Sequence, residues 1–453
     1  MGDGLVIYGR AVPRRVVLAF KSLIVLACVL LVVLPQLESS FAASQRYAAD
    51  VDSDWVGTNN ALHSARCARK TGLWLLEVCE KDRLVPFGAE DPGQTLLLSL
   101  WANLAGRDPT PMDVARLNIS INALGLAILV TTLLLFGAFT TAVVVLILGP
   151  TIFLGWFGTF PHWALIGVGS MQLILPLALI ARSRNWLPTA VSGGLIAAGL
   201  LLLAATALLR EAVGLSVLLV TLCAGIWAMR HGVGKPRRVT GTLLILAVAV
   251  IASQSPRLVS AARDSAYAID GSQFPATHGM SHTLYIGLGA VPNKFGLRYK
   301  DEVGLEAASA EVPGIRQMST DYFHLMWTLY LRKWQEDPQE VVRIYLVKLG
   351  LLLADNVIDP GIPLALVLAL AFAIQLQERH RRWNVGDQRS DTRLAINLVV
   401  LGLTAMFLVQ GVLATPTRFY SMPIGPYILV LAGIALENLA AWAWRTSWLQ
   451  SRL

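Results

Sequence analysis

Ten apolar stretches divide this 453-residue chain, at approximately 16–36, 117–137, 139–157, 162–181, 188–209, 211–229, 239–255, 361–377, 394–413 and 423–443. Each is close to the ~20 residues that a helix needs to cross the hydrocarbon core of a bilayer. This constrains the fold more than anything else in the chain, because a backbone amide inside lipid finds no water and must be satisfied within a helix or a closed barrel. The residues are 55% hydrophobic and 15% charged, against about 25% charged in a soluble domain. The expected fold class is therefore an all-α polytopic membrane protein with about ten transmembrane helices. Neither an internal repeat nor a low-complexity linker marks a separate soluble domain.

Lys and Arg in the short connections set the expected orientation, since loops on the cytoplasmic side carry the excess. Arg10, Arg14 and Arg15 precede the first span. Later connections hold Arg182 and Arg184, then Arg230, Lys235, Arg237 and Arg238, then Arg379, Arg381, Arg382, Arg389 and Arg393. All face one side only if the apolar segment 341–356 does not cross. Arg343, Lys348 and Asp355 interrupt that segment, so it reads as an interfacial helix. Five regions follow: 1–36 with the first span, a first extracytoplasmic loop 37–116, spans two to seven over 117–255, an extracytoplasmic cap 256–360, and 361–453 with the last three spans. The first span reads as an uncleaved anchor, the alternative being a signal peptide cut near Phe41, Ala42 and Ala43. A net charge of +8 reflects the basic loops and attraction to anionic lipids, and is no sign of nucleic acid.

The first loop opens with alternating acids, Asp50, Asp52 and Asp54, and later reaches Glu90, Asp91, Pro92 and Gly93 ahead of the apolar run TLLLSLWANLAG. That run suits a helix from Pro92 to Leu104 lying on the bilayer, with Trp101 at the interface. Cys67 and Cys79 both lie in this loop, whereas Cys28 and Cys223 fall in spans. An oxidising exterior favours a Cys67–Cys79 disulfide; two separate buried thiols are the alternative.

The second region contains HGMSHTLYIGLGAVPNKFGLRYKDEVG, residues 278–304. His278, His282, Lys294, Arg298, Lys300 and Asp301 are its polar groups. Lys and Arg suit a phosphate, while His and Tyr suit sugar hydroxyls or a leaving group. A packed cap with a basic rim is the competing reading. Downstream, Trp, Tyr and basic residues around Lys333 and Arg343 suit a membrane interface.

DPGQTLLLSLWANLAG followed by VARLNISINALGLAILVTTLLL, after one span and a long acidic loop, resembles the start of GT-C glycosyltransferases, membrane enzymes that use polyprenyl-phosphate sugars. ATPTRFYSMPIGPYILVLAGIAL is similar to the family's Arg-Tyr-x-x-Pro-x-x-Pro segment through Arg418, Tyr420, Pro423 and Pro426, with Phe419 between Arg and Tyr. His-Thr-Leu-Tyr-Ile-Gly-Leu-Gly is similar to a stretch shared by bacterial membrane proteins of uncertain function. The resemblance implies a bacterial cytoplasmic (inner) membrane enzyme with its site facing the exterior. It would move a sugar from a polyprenyl phosphate to a lipid, glycan or protein acceptor.

An acid early in the first loop serves as the base in that family, and the matching residues are Asp54, Asp52 and Asp50. Asp54 is preferred because it precedes Trp55 where a helix would start, with Asp52 next; a solvated loop face is the alternative. Asp91 would orient the acceptor or help hold a divalent cation, the one cofactor the resemblance brings in, or would simply cap a helix at Pro92. Arg418 and Tyr420 would contact the donor phosphate, although a lone Arg at a span end also snorkels to the surface. An envelope polysaccharide polymerase or ligase is a second class; such enzymes carry their main outer loop late. A transporter or scaffold is a third, weakened because Glu437 is nearly the only ionisable group within the spans.

Overall fold

The computed structural model describes the chain except residues 1–5, 8–9, 12, 51–55, 81–82, 87–91, 156–157, 159–160, 232–235, 270–279, 318, 355–387, 417–421 and 451–453. It is mostly helical. Among the described residues seven helices are long and apolar enough to cross a membrane: Arg15–Gln45, Pro111–Leu135, Leu165–Arg184, Thr189–Leu209, Glu211–Arg230, Pro236–Ser253 and Thr392–Leu413. Two further apolar helices, Phe139–Leu154 and Ile424–Asn438, are shorter, and the stretch 361–377 lies outside the described residues.

The first helix continues past residue 36. Helices α1 (Arg14–Cys28) and α2 (Leu34–Asp50) are joined by a π-helical turn, Val29–Val33. Pro35 has no N–H to offer the carbonyl four residues back, and the wider turn just before it, with Leu34 N–H bonded to Val29 O, absorbs that gap without breaking the helix. The first loop is not purely helical either. Between α3 (Val56–Thr71) and α4 (Pro92–Ala105), strands Leu76–Glu80 and Arg83–Pro86 pair antiparallel. The alternation of Leu76, Val78 and Glu77 and Cys79 with their neighbours is the period-2 signal for this, easily lost beside the longer apolar runs.

The body is built from α5 (Pro111–Leu135), α6 (Phe139–Leu154), α7 (Leu165–Ser170), α8 (Ile174–Arg184), α9 (Thr189–Leu209), α10 (Glu211–His231), α11 (Pro236–Ser253), and near the C-terminus α17 (Gln388–Leu413) and α18 (Ile424–Gln450). Leu129, Leu133, Val145, Phe153, Leu177, Leu203, Phe407 and Tyr427 are fully buried in its core. Leu31, Leu201, Leu244 and Ile251 face outward, a rim that suits lipid and not water. One end of the body gathers basic residues. Arg238 donates to Ser183 O and Asn185 Oδ1, Arg184 lies over the Trp227 ring, and Arg393 pairs with the buried Glu437, whose other oxygen accepts from Thr141 N–H. Glu437 is thus neutralised within the fold.

At the opposite end α3, α4 and α12 (Ser255–Tyr267) sit beside a second small core made by α13 (Met280–Gly287), α14 (Asp301–Glu311), α15 (Thr320–Glu336) and α16 (Pro338–Ala354). α16 joins the two. Its Val341 and Ile344 lie in the cap core, and its Leu352 lies in the body core.

Close helix contact in the body depends on glycine. A Cβ on Gly125 would stand 2.4 Å from Gly167 Cα, so only hydrogen fits where α5 meets α7. Gly193, by contrast, faces open space. Gly125→Leu should destabilise the protein by about 3 kcal/mol through overpacking, and Gly193→Ala should leave it unchanged. Thermal unfolding of the two variants in detergent tests this contrast.

Candidate functional site

α3 and α4 lie side by side. Ala61, Leu62, Ala65 and Leu98 interdigitate with Val114 of α5 in a small core of their own. Arg69, in the last turn of α3, donates to Asp108 Oδ1 at 2.5 Å and to Gly106 O at 3.3 Å, just past the end of α4. The C-terminal end of α3 therefore lies close to the chain that leaves α4. Cys67 of α3 is bonded to Cys79 of the hairpin, with Cα atoms 5.9 Å apart.

The first turn of α4 reaches down to the body. Pro92, Gly93, Gln94 and Thr95 are all buried. A Cβ on Gly93 would meet the backbone of Leu208 and Leu209 at 2.7 Å, so the helix start rests directly on the end of α9. Gln94 Nε2 donates to Asn118 Oδ1 at 2.8 Å, and Asn118 Nδ2 donates to Gly158 O at 2.9 Å. One turn further along α5, Asn122 donates to Trp163 O and accepts from Gly167 N–H, each at 2.8 Å. This chain of amides pins the connection between α6 and α7 against α5 and gives the body a polar floor beneath α3 and α4. Gln94 Oε1, Thr95 Oγ1 and Ser64 Oγ are buried there without a hydrogen-bond partner among the described residues.

The acids singled out in the sequence stand directly ahead of these helix starts. Asp52 and Asp54 precede α3 and Asp91 precedes α4; all three lie outside the described residues, as do His278, Arg418 and Tyr420. Asp50 closes α2, its backbone described and its side chain not. Sequence reasoning passed over one neighbour. Glu38 is exposed on α2, on an open face it shares with Leu34, Leu37, Phe41, Ala42 and Gln45. Its signal was a lone acid at the end of a strongly apolar helix.

The first loop touches the 256–360 region at α12. Trp74 N–H donates to Tyr267 Oη at 2.9 Å, and Arg263 donates to Leu75 O at 3.4 Å, joining the first loop to α12. The 280–304 passage itself divides by exposure. His282 is fully buried, with Nδ1 2.7 Å from Tyr322 Oη and Nε2 3.1 Å from Asp301 Oδ1, so it helps organise the cap interior. Burial, reinforced by the Asp301 charge, pushes the Tyr322 hydroxyl well above its ordinary range, keeping it a neutral donor or acceptor. Lys294, Arg298 and Lys300 are exposed, Lys294 reaching Asp337 at 3.2 Å.

Glu340 anchors the passage to α16. Arg343 grips both its oxygens at 2.7 Å, and Lys294 N–H donates to it at 2.9 Å, which holds the carboxyl at about 2. Set beside known proteins, the chain matches no protein family, no curated protein and no solved structure.

Two outcomes follow from this geometry. Asn118→Ala strands Gln94 and Gly158 O and should cost about 1–3 kcal/mol, read as a lower midpoint in thermal unfolding, whereas exposed Ser120→Ala should cost nothing. Because the folded carboxyl of Glu340 lies below its ordinary 4.5, its contribution is fully present above about pH 4.5 and is lost as pH falls towards 2. Trp fluorescence melts across that range should show a steeper acid loss for the native chain than for Glu340→Gln.

Proposed function

We propose that this chain is a GT-C-like membrane glycosyltransferase, moving a sugar from a polyprenyl-phosphate donor to a lipid, glycan or protein acceptor on the outer face of a bacterial cytoplasmic membrane. The observation that carries the reading is the start of α4 at Pro92, seated on the end of α9 and joined through Gln94 and Asn118 to the polar end of an apolar helix body. In sequence Asp91 directly precedes α4, and Asp52 and Asp54 precede α3. A reaction at a lipid-linked phosphate needs its base at that depth, where the head group emerges from the hydrocarbon. The Cys67–Cys79 disulfide supports placing this end in an oxidising compartment.

In this reading one of Asp50, Asp52 and Asp54 takes the proton from an acceptor hydroxyl, and the freed oxygen attacks the sugar's anomeric carbon. The bond from that carbon to the phosphate oxygen breaks, and its electron pair leaves with the polyprenyl phosphate. Arg418 and Tyr420, with Lys294, Arg298 and Lys300, meet the charge on the departing phosphate. Asp91 would orient the acceptor or help hold a divalent cation, which would supply positive charge near the departing phosphate. The pairing of Glu437 with Arg393 speaks against ion transport, since it leaves that acid no role as a carrier site.

Membranes containing the protein should transfer labelled sugar from one of a panel of polyprenyl-phosphate donors. Asp54→Asn or Asp52→Asn should lower the rate about 10²- to 10⁴-fold in folded protein. Full activity in Asp50→Asn, Asp52→Asn and Asp54→Asn alike would remove these acids from the mechanism, and no transfer from any donor would turn the reading towards a polymerase or a scaffold.

A further inference from the structure

The side chain of Lys348 is fully buried, yet no carboxylate is among its hydrogen-bond partners. Its Nζ donates to three main-chain carbonyls: Gly287 at 3.0 Å, Leu413 at 3.3 Å and Ala414 at 2.7 Å. Gly287 is the last residue of α13 and Leu413 the last of α17. The C-terminus of α17 therefore meets the junction where α13 passes into a 3-10 turn, Leu288–Ala290, and both direct main-chain carbonyls at one amino group, with the negative dipole end of α17 behind two of them. The ring of Tyr345, one turn earlier on α16, stands 5.3 Å away and adds its negative face. A Cβ on Gly287 would lie 2.6 Å from Leu413 O, so the approach of the two helix ends requires glycine at that position.

Only the ammonium form has three N–H donors for three acceptors; a neutral amine has two. Burial draws Lys348 down to about 7 from its ordinary 10.5, and the carbonyls and ring oppose that pull. We propose that these carbonyls form a monovalent-cation site whose resident ion is the chain's own Lys348 ammonium, and that this tethered cation fixes the cap to the helix body at the end of α17. The inference stands whatever reaction the protein catalyses. Its place in the fold still matters, because Arg418 and Tyr420 follow Ala414 by four and six residues.

The test uses the full chain in detergent at pH 6.5, with Lys348→Met, which keeps most of the packing, and Lys348→Ala, which vacates the cage. Hydrogen exchange should become about tenfold to a hundredfold faster at the ends of α13 and α17 in both variants, while α9 and α10 stay protected. n-Propylammonium should restore protection to Lys348→Ala but not to Lys348→Met, and n-propanol should restore neither. Native-like protection in Lys348→Met would overturn the proposal, as would equal rescue of Lys348→Ala by propanol, which would reduce the site to filled space. If Lys348→Ala fails to fold, the Lys348→Met exchange pattern alone decides between these outcomes.

Discussion

Lipid offers a backbone amide no hydrogen bond, and most of this structure answers that one constraint. It makes the apolar stretches helical, and it drives every carbonyl and amide that a helix end leaves unpaired towards the two ends of the body, where side chains must meet them. At one end Arg238 covers the carbonyl of Ser183. At the other, Asn118 covers Gly158 O, Asn122 covers Trp163 O, and Lys348 covers three carbonyls at once. The polar chemistry of the protein is concentrated where helices stop.

That concentration gives the loop end its character. α3 and α4 are short, but they are locked on three sides: to the hairpin by Cys67–Cys79, to the loop after α4 by Arg69 with Asp108, and to α5 by Gln94 with Asn118. The start of α4 is thereby held directly against the body. The cap is held separately, within itself by the Lys294 N–H on Glu340 and to the body by Lys348, so the first loop and the cap are supported by different interactions.

Much of the architecture was legible in the chain. Nine of the ten expected spans coincide with described apolar helices, because continuous apolarity over ~20 residues has few structural solutions. The start of α4 at Pro92 was legible too, from Pro placed to open a helix. The length of the first helix was not: polarity after residue 36 read as a loop, but no glycine interrupts Leu34–Asp50 and a π-turn accommodates Pro35. The hairpin at 76–86 was missed because its alternation spans few residues. The burial of His282 was not legible, since sequence shows a residue type and not which way it points.

By itself, then, the sequence determined the membrane class, the helical spans and the residue types available at the polar ends, because these follow from local apolarity and periodicity. Only the tertiary structure decided which polar groups meet. The packing of α3 against α4, the amide chain from Gln94 to Gly158, the burial of His282 between Tyr322 and Asp301, and the convergence of Gly287, Leu413 and Ala414 on Lys348 join residues far apart in the chain. Such contacts depend on how helices pack against one another. Packing is set by the summed shape of many side chains, and no local pattern records it.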